Sequence, residues 1–135
     1  MLVYARREES VLHERALAEL AALAEGRAPW ALPLPCLVEL VRVLTHPRVL
    51  RPPSPLDGAF AFIDALMESP SMRLLCPGPK FVEHFCTAAR GADARGNLAF
   101  DAQIAALCLE HGVREILTAD RDFARFAALK PIWLA

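Results

Sequence analysis

Two aspartates, Asp101 and Asp120, lie at the two ends of a predicted helix–strand unit late in the chain. Stepping about 100° per residue from Asp101 places Ile104 and Ala105 on the same face of the helix. That face is apolar, and a carboxylate on a buried face is costly unless a positive charge meets it. Asp120 follows Glu115–Thr118, a run that predicts a buried strand. In open α/β sheets, ligands bind at the carboxyl ends of the strands.

Two carboxylates at one sheet edge favour a divalent cation, because Mg²⁺ prefers oxygen ligands. Glu39 is a third candidate, since it lies shortly after a predicted second strand and therefore near the same edge. The alternative for Glu39 is a solvated side chain that pairs with Arg42 three residues later. Taken alone, this glutamate fits the alternative better, and only its place after the strand favours metal binding.

Each polar residue of this helix–strand unit also has an ordinary structural interpretation. Asp101 suits a first-turn acid that interacts with the helix dipole, but this does not explain its place on the apolar face, so we favour metal binding for it. Asp120 suits a turn, and Asp122 suits the cap of a following short helix, which is the role we favour for it. Asn97 is expected to be an N-cap or an Asx turn, with any site role secondary. Thr118 is expected to hydrogen-bond a carboxylate or a phosphate, or else to be an ordinary strand residue.

The elements that must position these residues alternate between strands and helices. This alternation predicts an α/β fold with a parallel sheet and helices on both faces. No internal repeat or linker is visible, so residues 1–135 are expected to form a single domain. The predicted strands are Met1–Ala5, which looks cut off at its beginning, Trp30–Leu34, Met72–Leu75, Glu115–Thr118 and Lys130–Leu134.

Composition narrows the class of protein. The chain has 135 residues, 55% of them hydrophobic, and a net charge of −1, so it is neither disordered nor a strongly basic nucleic-acid binder. Its four cysteines lack zinc-motif spacing and are expected to be buried thiols in a reducing cytoplasm. The sequence contains no uninterrupted run of about 18 apolar residues, so no membrane span is predicted.

The ordered set of motifs resembles the PIN-domain family of the VapC toxin type. The matching residues read E…G-N-x-x-x-D-A-x-x-A-A-L…T-x-D-x-D-F, with T-H-P-R-V-L after the glutamate helix. The resemblance covers nearly the whole chain. It implies a PIN-like fold and an endoribonuclease that depends on Mg²⁺, with Mn²⁺ as a substitute, acting as the toxin of a type II toxin–antitoxin pair. It maps the acidic site to Glu39, Asp101 and Asp120, with Asp122 sharing the metal, and implies an RNA substrate, an antitoxin partner and a homodimer.

One departure from the family concerns its first metal ligand. The family has D-x-N a few residues before the stretch that matches Leu2–Ala5, and this chain begins at Met1. We expect that the start codon was assigned too late and that the aspartate is encoded upstream. The alternative is a truncated, catalytically inactive PIN-fold module that binds an antitoxin.

Overall fold

Helices and short strands alternate along the chain, which confirms the predicted α/β class. A computed structural model describes residues 1–134, and these residues contain six α-helices, four strands and one 3-10 helix. They divide into two compact units, Met1–Leu74 and Leu75–Ala135, and each is described by itself below. The assignment of the whole chain to a single domain stays a prediction. The elements are α1 (Leu2–Arg6), α2 (His13–Glu25), β1 (Trp30–Pro33), α3 (Leu34–Thr45), α4 (Leu56–Met67), β2 (Met72–Leu75), α5 (Phe81–Ala92), α6 (Leu98–Glu110), β3 (Glu115–Thr118), the 3-10 helix Arg121–Arg125 and β4 (Lys130–Trp133).

The first residues are helical, so the prediction of a truncated strand at Met1–Ala5 was wrong. The backbone N–H of Ala5 donates to the carbonyl of Met1 at 3.2 Å, as in a helical turn. Leu2 and Ala5 are both buried, and their spacing of three residues puts them on one face of α1. A run of five apolar residues fits a helix as well as a strand, and burial of this face decided between them.

In the first unit, a buried polar chain ties the end of α2 to β1. The indole N–H of Trp30 donates to the Ser69 hydroxyl at 3.2 Å, and that hydroxyl donates to the carbonyl of Ala24 at 3.0 Å. Both polar groups are thereby satisfied away from water, where an unpaired group would be costly. In the same unit, α3 contributes Leu40 and Leu44, which are essentially fully buried. Each of these leucines stabilises the fold by roughly 1.5–3 kcal/mol.

In the second unit, β3 and β4 pair in parallel, and their register places Thr118 opposite Trp133. Helix α6 packs against α5 and is buried along its second half, where Ala105 and Leu107 are completely covered. The carboxylate of Glu110, the last residue of α6, accepts the backbone N–H groups of two residues before α5, at 2.8 and 2.9 Å. This contact fixes the end of α6 to the turn that leads into α5.

The four cysteines differ in their exposure to solvent. The prediction that all four cysteines are buried was wrong, because Cys76 and Cys86 are exposed, whereas Cys108 is buried and Cys36 is partly covered. Apolar neighbours in sequence did not imply burial, since Cys76 follows a strand end and Cys86 lies on an outer position of α5. Among residues 1–134, no helix combines the length and apolar character that a membrane crossing requires.

Candidate metal centre

Three aspartates of the second unit come together and form what we call the aspartate cluster: Asp101, Asp120 and Asp122. Asp101 lies in the first turn of α6, and the other two belong to the start of the 3-10 helix that follows β3. One carboxylate oxygen from each residue lies within 4.8 Å of the others. The predicted convergence of Asp101 and Asp120 is therefore present, with Asp122 as a third member.

Burial and like charge make the cluster electrostatically unfavourable. The pKa of Asp101 is raised from 3.8 to about 6, first because burial penalises the charged carboxylate, then because Asp120 and Asp122 repel it. Its neighbours along α6 explain the burial, since Ala102 and Ala105 are fully covered. A cation placed among the three carboxylates would oppose this effect, because an opposite charge favours the ionised form.

The backbone of the loop after β3 is held by its own side chains. The Thr118 hydroxyl accepts the backbone N–H of Asp120 at 3.0 Å, and the Oδ1 atom of Asp120 accepts the backbone N–H of Asp122 at 2.9 Å. Asp120 is thus the cap of the 3-10 helix, and the preference for Asp122 in that role was wrong. A cap at Asp122 would start the helix at Phe123, and the observed helix begins two residues earlier, at Arg121. Thr118, which is buried, orients the loop that carries Asp120 and bonds its amide, not a carboxylate.

Asn97 precedes α6 without capping it through its side chain. The residue occupies the N-cap position with helical backbone angles, φ −64° and ψ −23°, and its side chain makes no capping hydrogen bond. A side-chain cap requires the extended conformation that the sequence-based expectation assumed. The structure therefore assigns the amide no capping role, and a supporting role at the site stays a prediction.

Glu39 belongs to the first unit, on α3, and it is paired. Arg42 donates to both of its carboxylate oxygens, from Nε at 2.9 Å and from the terminal nitrogen at 2.6 Å. This hydrogen-bonded arginine lowers the pKa of Glu39, and the burial of the carboxylate opposes the effect only in part. The pair is the ordinary alternative raised by the spacing of the two residues. A ligand role for Glu39 remains a prediction.

Sequence reasoning missed Arg121, which lies between the two aspartates of the loop. The Cζ atom of its guanidinium lies 4.3 Å from the centroid of the Trp133 ring. The only signal in the sequence is a cation placed between two carboxylates. Its partner on β4 is set by strand register, which the sequence pattern does not specify.

The fold and the cluster define a class of α/β protein with an acidic site at helix and strand ends. The family model for the PIN domain matches residues 1–129, and the chain belongs to this family. It is 37% identical to VapC ribonuclease Mb2897 of Mycobacterium bovis (strain ATCC BAA-935 / AF2122/97) over 130 residues, which cover 96% of this chain and 88% of that relative.

Two relatives from Mycobacterium tuberculosis (strain ATCC 25618 / H37Rv) extend the comparison. Ribonuclease VapC33 is 32% identical over 130 residues, 96% of this chain and 90% of the relative. Ribonuclease VapC25 is 35% identical over 104 residues, 77% of this chain and 72% of the relative. The similarity thus extends over most of both chains in each pair.

Proposed function

We propose that this protein is a metal-dependent endoribonuclease and the toxin of a type II toxin–antitoxin pair. The observation that carries the proposal is the aspartate cluster, whose oxygens lie within 4.8 Å of one another in a PIN-domain chain. Relatives that are 32–37% identical are all named VapC ribonucleases, which supports RNA as the substrate.

The donor set fits a hard divalent cation. Asp101, Asp120 and Asp122 offer only carboxylate oxygens, which suit Mg²⁺ and also Mn²⁺. The raised pKa of Asp101 reflects repulsion and burial that a cation would offset. These three residues would hold the ion, and Glu39 is proposed as a fourth ligand. For Glu39 to serve, its carboxylate must release or share Arg42, whose pairing is exposed and therefore weak.

Residues of this chain orient the carboxylates of the aspartate cluster. Because Asp120 Oδ1 accepts the N–H of Asp122, its other oxygen is left to face a ligand. Thr118 holds the backbone of Asp120 from a buried position and so limits movement of the loop. When bound, a divalent cation supplies positive charge to the scissile phosphate and makes a water molecule more acidic. Asp101, on α6, is the partly buried member and holds the inner side of the cluster.

The partners and location follow from the same proposal. The name VapC on the relatives supports a cognate antitoxin protein, and we propose that this chain binds one and forms a homodimer. Since its proposed substrate is cellular RNA, we propose that the protein acts in the cytoplasm.

Cleavage of a labelled single-stranded RNA tests the nuclease proposal. We expect cleavage with Mg²⁺ or Mn²⁺, none with EDTA, and a loss of about 100-fold or more in Asp101→Asn, since even residues behind metal ligands contribute 10- to 100-fold. The matched control is Asp64→Asn, which makes the same chemical change at an exposed position of α4. Equal cleavage by both variants would indicate a contaminating nuclease and contradict the proposal.

An inactive binding module is the competing function. In that case the protein binds its antitoxin partner tightly, Asp101→Asn retains this binding, and no RNA is cleaved with either metal. Calorimetry with the purified partner, run beside the cleavage assay, separates the two functions.

A further inference from the structure

Arg121 is an exposed cation in the middle of the acidic loop. It follows Asp120 and precedes Asp122, so a pairing with the aspartate cluster would be the simplest expectation. Its guanidinium instead lies over the ring of Trp133, with Cζ 4.3 Å from the ring centroid. Among the residues that the structure describes, Arg121 makes no ion pair.

Trp133 is fixed by the same strand end that fixes the cluster. The parallel register sets Trp133 opposite Thr118, and the backbone N–H of Leu134 donates to the Thr118 carbonyl at 3.0 Å. The Thr118 hydroxyl holds Asp120 in turn. The ring under the guanidinium and the loop that carries Asp120 and Asp122 are therefore both anchored at the Thr118 end of β3.

The contact with Trp133 leaves the hydrogen-bond donors of Arg121 open to a ligand. The guanidinium carbon lies over the ring, and a cation over an aromatic face gains roughly 0.5–1 kcal/mol at an exposed site. The five N–H donors point along the edges of the group, and none of them donates a hydrogen bond to the described residues. A planar fork with open donors matches the oxygens of a phosphate.

We propose that Arg121, held over Trp133, is a phosphate clamp for the RNA strand that enters the aspartate cluster. The clamp deepens the proposed nuclease function and rests on it. The three carboxylates of the cluster repel a polyanion, so a fixed cation beside them favours the approach of the strand. Arg121 binds a phosphodiester group through its N–H donors, and Trp133 is the positioning residue that holds the guanidinium in place.

Binding of RNA at several salt concentrations tests the clamp apart from catalysis. A short fluorescein-labelled single-stranded RNA is titrated with the intact protein in EDTA, and anisotropy gives Kd. We expect Arg121→Gln to raise Kd roughly fivefold to tenfold, because one charge-assisted contact is lost. The slope of log K against log salt should fall by about 0.7, the value for one phosphate contact on a single strand.

The control is Arg114→Gln, which removes the same charge from an exposed arginine at the opposite end of β3. It should leave the slope within error of wild type. The clamp is overturned if Arg121→Gln behaves like this control, or if wild-type protein shows no salt-dependent binding of the RNA.

A double-mutant cycle tests the positioning role of Trp133. Trp133→Leu should raise Kd roughly threefold alone and have no further effect when Arg121 is already Gln, because its role passes through Arg121. Trp133→Phe keeps an aromatic ring and should leave Kd closer to wild type than Trp133→Leu does, which distinguishes loss of the ring from loss of volume. Equal effects of the Trp133 substitution in both backgrounds would overturn the positioning role.

Cleavage assays on the same variants separate this inference from the nuclease proposal. If wild type cleaves RNA with Mg²⁺ and Arg121→Gln leaves Kd and slope unchanged, the nuclease stands and the clamp fails. If no RNA is cleaved while the Arg121-dependent slope is present, the clamp stands on a binding module. In an active enzyme, Arg121→Gln should raise KM and leave kcat within about twofold, whereas loss of a metal ligand lowers kcat.

Discussion

Replacing Asp101 by Asn should stabilise the metal-free protein above pH 6. The folded-state pKa of Asp101 is about 6 against an ordinary value of 3.8, so ionisation of this carboxylate opposes folding. The full difference corresponds to roughly 3 kcal/mol. Because the carboxylate is partly exposed and screened by water and salt, we expect about 1–2 kcal/mol. Asparagine keeps the size and helix propensity of the side chain and removes only the charge.

The stability difference between Asp101→Asn and wild type shrinks at low pH and does not change sign. Stability linked to Asp101 is fully present below pH 3.8 and is lost as the pH rises through about 6. The advantage of Asp101→Asn should therefore be largest at pH 8 and fall by roughly half at pH 5, where the folded carboxylate is mostly protonated. Because both proteins share every other titrating group, the difference between them isolates this residue.

Urea unfolding with EDTA at pH 8 and pH 5 measures the effect, and Asp64→Asn is the control. Asp64 is an exposed residue of α4, so the same substitution there should change the free energy of unfolding by less than about 0.5 kcal/mol at either pH. The reasoning is refuted if Asp101→Asn is destabilising at pH 8, or if its effect is the same at both pH values.

Three further predictions concern the neighbours of the cluster. Glu39→Gln should change the free energy of unfolding by less than about 0.5 kcal/mol, since its pair with Arg42 is exposed, but should lower RNA cleavage by about 100-fold if Glu39 is a ligand. Arg42→Gln breaks the same pair and should keep cleavage. Equal losses of cleavage in both variants would contradict the ligand role. Thr118→Val should destabilise by about 1–2 kcal/mol in urea unfolding because the amide of Asp120 loses its acceptor, whereas Thr118→Ser should lose less; equal losses would show that the methyl group matters instead. Mg²⁺ at about 100 times its Kd should stabilise wild type by about 2.7 kcal/mol and should not stabilise Asp101→Asn, as measured by thermal unfolding.

The sequence pattern predicted the helix–strand unit that carries the cluster. Helix α6 and strand β3 lie where the apolar periodicity placed them, because a long periodic run and a short buried run differ in length and spacing. Asp101 could be recognised from its place on an apolar face, and Asp120 from its place after a strand. Both inferences use only local geometry, which sequence spacing determines well.

Other features depend on contacts that local spacing does not contain. The five residues of α1 fit two kinds of structure equally, and burial of Leu2 and Ala5 decided for the helix. Asp120 makes the capping hydrogen bond and Asp122 does not, because the 3-10 helix starts two residues earlier than a cap at Asp122 requires. The stacking of Arg121 on Trp133 depends on strand register, which is a tertiary property.

Calorimetric titration of Mn²⁺ into the metal-free protein measures whether the aspartate cluster binds a cation. We expect a saturable site in wild type that is weakened at least about tenfold in Asp101→Asn and in Asp120→Asn, and is retained in Asp64→Asn. If the two cluster variants bind Mn²⁺ as tightly as wild type, the aspartate cluster is not a metal centre.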